Sequence, residues 1–80
     1  MTANKTNEEF HLGRLIKAEL HRQGRTITWL ASEVHCTREN LYKIFQHPWI
    51  NTDMLFKISE ALDCDFFKFC SERLTQKKNT

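Results

Sequence analysis

The sequence predicts an all-α fold, and three observations carry that expectation. Two glycines and one proline in 80 residues leave little material for tight hairpins. No segment alternates apolar and polar residues long enough to make a half-buried strand. Apolar residues instead return at three- and four-residue spacing along successive segments, most of them opening on a side chain able to cap a helix.

Taken in order, Leu12, Leu15, Ile16 and Leu20 form the stripe of a first helix expected over Glu8 to Gln23, with Gly24 as its stop. Thr26 offers an N-cap oxygen to a short second helix striped by Ile27, Leu30, Ala31 and Val34, ending near Glu33 or Val34. Only His35 and Cys36 separate that stripe from Thr37, the next N-cap, so a very tight turn must join helices two and three. The third helix extends to about Gln46, because Pro48 disfavours helical geometry at His47. Asn51 caps a fourth helix with Leu55, Ile58 and Leu62 inward, and Asp65 caps a last one holding Phe66, Phe67, Phe69, Cys70 and Leu74. The expected core is Leu30, Val34, Leu41, Ile44, Phe45, Leu55, Ile58 and Leu62. One compact bundle of about five helices over residues 8–74 is therefore expected, between a flexible tail at 1–7 and a frayed polar tail at 75–80.

Composition narrows the function. With 40% hydrophobic and 28% charged residues, the chain describes a small soluble domain. MTANKTNEEF has no apolar centre and no run approaches the roughly 18 apolar residues of a membrane span, so a cytoplasmic protein without membrane contact is expected. Cys36, Cys64 and Cys70 are odd in number and lack a C-x-x-C pair, which predicts reduced thiols. His11, His21, His35 and His47 show no metal-ligand spacing, no glycine-rich phosphate loop exists, and no nucleophile, base and orienting group can be assembled. Neither an enzyme nor a metal or other cofactor is expected.

The net charge of +2 implies little by itself, but its distribution is uneven. Residues 14–43 carry six cations against three carboxylates, whereas residues 53–72 carry two against five. A domain with one side facing a polyanion has that asymmetry, and so do solvated faces of random sign.

The third helix is the informative element. Leu41, Ile44 and Phe45 share one face, while Glu39, Tyr42 and Gln46 line the centre of the other with Arg38 and Lys43 at its margins. Each of these long side chains can hydrogen-bond base edges or phosphates. Glu39 and Lys43 also stand at i, i+4 and satisfy the spacing of a plain intrahelical pair. Arg38 in the first turn opposes the helix dipole, so it has no local structural reason to be there. Tyr42 suits a mixed role, ring packed and hydroxyl offered to a phosphate. Trp29 lies off the second helix's stripe and is expected to cover helix one or an adjoining loop.

Two short helices joined by a tight turn, with one helix before and two after, make the layout of a helix-turn-helix domain. The stretches "LGRLIKAELHRQGRTITWLASEVHCTRENLYKIF" and "NTDMLFKISEALDCDFFKF" resemble the phage-repressor and Cro-like (Xre-type) regulators, the lambda-repressor-like family, over about residues 12–69. "RTITWLA" is similar to that family's Thr-x-x-x-Leu-Ala opening of helix two, and "LFKISEALDCD" to its Leu-x-x-Ile-x-x-x-Leu helix. The resemblance implies a sequence-specific regulator binding double-stranded DNA, with the third helix in the major groove. By position, Arg38, Glu39, Tyr42 and Lys43 match base-facing residues and Gln46 a backbone contact, and the capping hydroxyls of Thr26 and Thr37 are expected at phosphates. Three positions depart from the pattern. Ile27 stands where a DNA-contacting glutamine is frequent, His35 where glycine is common in the turn, and Phe45 where glutamate is frequent. The last substitution implies an apolar anchor in place of a buried ion pair.

Two further expectations concern partners. The apolar arc of the last helix is wider than one core-facing stripe, so Phe67 and Leu74 are expected in a homodimer interface while Phe66 and Phe69 face the core. The alternative is a protein-interaction module on the same scaffold, such as an antitoxin-like partner.

Overall fold

The computed structural model describes residues 10–78 and is all-helical over that range. Five helices follow in order: α1 (Leu12–Arg22), α2 (Ile27–Glu33), α3 (Arg38–Gln46), α4 (Thr52–Leu62) and α5 (Phe66–Lys78). The expected tail at 1–7 lies outside the described residues, as do Glu8 and Glu9. At the other end, helical backbone continues to Lys78, past residue 75 where a frayed tail is expected.

The helix starts follow from side-chain oxygens that accept amide hydrogens otherwise orphaned in the first turn. Thr26 accepts from the Trp29 amide at 3.0 Å, Thr37 from Asn40 at 3.1 Å, Asn51 from Met54 at 2.8 Å, and Asp65 from Lys68 at 3.2 Å. The first helix begins later than the sequence predicts, at Leu12, because His11 is extended and caps α1 through its Nδ1, which accepts from the Arg14 amide at 3.0 Å. Gly24 closes α1 with φ of 72°, and His35 takes the glycine-like place in the turn between α2 and α3 with φ of 59°.

One core joins all five helices. Leu12, Ile16 and Leu20 of α1 meet Leu30 and Ala31 of α2 with Val34 at its C-cap, Leu41 and Phe45 of α3, Leu55, Ile58 and Leu62 of α4, and Phe66 of α5. Seven of the eight expected core residues are buried. Ile44 is the exception: it is half-buried at the rim, because it faces the loop after α3 rather than α1. Phe45 is the apolar anchor its sequence position implies. Trp29 is half-buried against the core, with the Arg25 guanidinium 4.4 Å from its ring centroid, so the ring covers the α1–α2 corner and carries a cation on its open face.

At the far end of α1, Gln23 Nε2 donates to the Leu62 carbonyl and to Glu19 Oε2, both at 2.7 Å, tying α1 to the end of α4. Hydrogen bonds from Arg22 and then Gln23 hold the Glu19 carboxyl down at about 2, well under the usual range. The three cysteines are free and half-buried, and burial pushes the Cys64 and Cys70 thiols up. No described helix is long and apolar enough to cross a membrane.

Candidate nucleic-acid interface

Helix α3 is held from behind and left open in front. Leu41 and Phe45 are buried, whereas Arg38, Glu39, Tyr42, Lys43 and Gln46 are exposed, Tyr42 to 49%. Glu39 and Lys43 could have satisfied each other along the helix. Among the described residues they do not, and Arg38 forms no ion pair either; the two ion pairs found are Arg22 with Glu19 and Lys57 with Asp53. The outer face of α3 therefore presents unspent donors and acceptors.

The capping hydroxyls at the two ends of the α2 segment also keep a free function. Thr26 and Thr37 accept amide hydrogens with their Oγ1, which uses a lone pair and leaves each hydroxyl hydrogen to donate outward. Both residues are exposed. Ile27, by contrast, turns its side chain partly into the core.

The sequence alone did not single out the neighbouring surface on α1. A cleft between α1 and α3 is lined by His11, Arg14, Lys17, Tyr42 and Gln46 over a floor of Phe45, so two exposed cations of α1 stand beside the outer face of α3. Their i, i+3 spacing was legible, but which neighbour they border depends on how α1 packs. On the opposite flank, Asn40 and Ile44 border the loop carrying His47, Trp49 and Ile50, and Trp49 is 60% exposed with the Phe10 ring tilted against it at 5.2 Å between ring centroids.

What fixes the cleft is main-chain contact. The Leu12 and Gly13 amides at the start of α1 donate to the Pro48 and His47 carbonyls at 2.9 and 3.1 Å. His11 adds a second bridge, its Nε2 lying 3.2 Å from the Gln46 carbonyl; with Nδ1 accepting from Arg14, the hydrogen sits on Nε2 and donates there. The approach is so close that a Cβ on Gly13 would fall 2.6 Å from the Phe45 carbonyl carbon and 2.7 Å from the His47 oxygen. Glycine is required here for proximity, since Gly13 lies within a regular helix.

Phe67 and Leu74 are exposed to 36% and 57%, while Phe66 is fully buried and Phe69 half-buried against it at 5.9 Å between ring centroids. Among the described residues no cluster of histidine, cysteine and carboxylate side chains is arranged to hold a metal ion. Comparison with family models, curated proteins and solved structures finds no match to this chain.

Proposed function

We propose that this protein is a non-enzymatic, sequence-specific regulator that binds double-stranded DNA by placing α3 in the major groove, in the manner of the helix-turn-helix regulators its sequence resembles. The observation that carries the reading is the row of exposed, uncommitted polar side chains on α3, backed by buried Leu41 and Phe45. An α-helix fits the major groove, and Arg38, Glu39, Tyr42 and Lys43 have the donors and acceptors that distinguish base edges there. Gln46, the hydroxyls of Thr26 and Thr37, and the Arg14 and Lys17 side chains then meet phosphates on either side and set the register. One copy covers half a site. A two-fold pair through Phe67 and Leu74 brings a second α3 into reach about one DNA turn, roughly 34 Å, away.

Electrophoretic mobility shift on duplexes selected from a random pool tests the reading. The Arg38→Ala, Lys43→Ala variant should lose about 1–3 kcal/mol for each base contact removed and relax specificity at those positions. Arg14→Ala and Lys17→Ala should instead weaken all sequences alike, each lowering the slope of log affinity against log salt by about 1. Unchanged affinity in the α3 double variant would sink the assignment of α3 as the reader.

A further inference from the structure

The corner between α4 and α5 carries a surface unlike the rest of the domain. Leu55, Ile58 and Leu62 take the inner face of α4, which leaves Phe56 and Glu60, one turn apart, outside together. Asp63 then turns the chain in a left-handed conformation, with φ of 52°, and Asp65 opens α5 as its cap. The result is a shallow groove flanked by Phe56, 56% exposed, and Phe67, with Glu60, Asp63 and Asp65 on its rim.

No cation lines this groove. Arg22, whose charge reaches Cys64 in the lining, is held by Glu19, and Lys57 is held by Asp53. Lys68 stands outside the lining, four residues before Glu72, which offsets its charge along the same face of α5. The three rim carboxylates form no ion pair among the described residues. Their field is felt inside the groove: burial first, then Glu19, Asp65 and Asp63 against the opposing pull of Arg22, push the Cys64 thiol up. Ser59, also in the lining, has its hydroxyl oxygen buried without a hydrogen-bond partner.

Apolar rings inside an acidic rim restrict what can cover them. A polyanion is repelled, and a purely apolar segment would strip water from three carboxylates without replacing it. One kind of side chain meets both demands. Lysine and arginine lay an aliphatic stem on apolar surface, place their charge over or beside an aromatic ring, and end on a carboxylate.

We propose that this groove is a docking site for a cationic segment of another protein, whose lysine or arginine side chains lie across Phe56 and Phe67 and end at Glu60, Asp63 and Asp65. Docking here goes beyond the DNA-binding reading and stands without it, since no residue of the groove lines the cleft beside α3. The groove shares Phe67 with the two-fold pair proposed above, so a segment seated in it competes with pairing through that ring.

Backbone amide NMR of the folded chain, titrated with an excess of a blocked octapeptide alternating arginine and glycine, reads the docking. Saturable shifts should cluster over residues 56–67, and a glutamate–glycine peptide of the same length should leave those residues unmoved. Glu60→Gln, Asp63→Asn, Asp65→Asn removes the charge and keeps the local backbone, because asparagine accepts the left-handed position and caps a helix. That variant, whose own spectrum reports its folding, should bind the arginine peptide roughly tenfold or more weakly. Phe56→Ala, at an exposed position, should weaken it about two- to fivefold. Leu74→Glu breaks the two-fold pair and leaves the groove intact, and should saturate as the wild type does. Shifts centred elsewhere, equal binding of both peptides, or undiminished binding by the charge-neutral variant would each overturn the proposal. Binding confined to Leu74→Glu would show that a second copy fills the groove, which overturns it as well. Loss of DNA binding in a chain that still takes the arginine peptide would strike the reading role of α3 alone.

Discussion

The two halves of this domain obey one packing rule and spend their outward faces differently. In α1 to α3 the stripe that faces the core is backed by long polar side chains, and the balance is basic; in α4 and α5 the outer surface carries carboxylates and aromatic rings. Both halves contribute to a single core, so the contrast is one of surface and not of scaffold. Burial settles where a helix sits, and whatever remains outside is free to differ in charge and hydrophobicity between the halves.

If the halves share one core, damage to either should melt both. Leu41→Ala in the basic half and Ile58→Ala in the other remove fully buried side chains and should each cost roughly 2–5 kcal/mol, a large share of what a domain this small possesses. Urea denaturation followed by Trp29 and Trp49 fluorescence and by helical circular dichroism should give coincident transitions in both variants. If Ile58→Ala melted helix content while leaving the fluorescence transition in place, the halves would be separate units and the comparison would fail.

A smaller effect sharpens it. Gly13→Ala drives a methyl group into the Phe45 and His47 backbone and should cost about 1–3 kcal/mol, because α3 is displaced from α1. The same Gly→Ala change in the interior of an open helix would be stabilising. Thermal denaturation of Gly13→Ala therefore reads the sign: a rise in Tm would mean that α1 does not press on α3 as closely as described.

The least effect is expected at the seam between the halves. Glu19 titrates at about 2 in the fold, below its ordinary value of 4.5, so its charged form favours the native state. That contribution is complete above the unfolded pKa and is lost as pH falls through about 2. Glu19→Gln should be less stable than the wild type at pH 6, and the gap should close as acid is added; chemical denaturation at pH 6, 4 and 2.5 measures it. A gap independent of pH would place the value of Glu19 in packing rather than charge.

Much of the fold was legible because helix starts are written in single residues. Thr26, Thr37, Asn51 and Asp65 each cap the helix they announce, and His35 adopts the left-handed turn its position requires. His11 was not readable as a cap, since an imidazole is an unusual acceptor there and its second bridge reaches a carbonyl 35 residues away. Nor was Gly13, because a glycine within a helix signals close approach only once the neighbour is known. Ile44 lies at the edge of its helix's apolar face, and periodicity alone does not say that its neighbour is a loop. The exposed face of α3 could be read from the sequence, whereas the cleft it shares with α1 depends on non-local packing.

The main-chain clasp between α1 and the end of α3 bears on which positions of α3 can be exchanged without loss of the fold. Because α3 is secured by main-chain hydrogen bonds at its C-terminal end and by two buried side chains, Arg38, Glu39 and Lys43 are not among the groups that hold the helix, whereas Tyr42 also lines the cleft against α1. Replacing the first three leaves the anchoring atoms where they are, since backbone groups survive any side-chain exchange. The identity of the outer face is thereby separated from the anchoring of the helix, and a laboratory library randomised at Arg38, Glu39 and Lys43 should consist mostly of folded proteins.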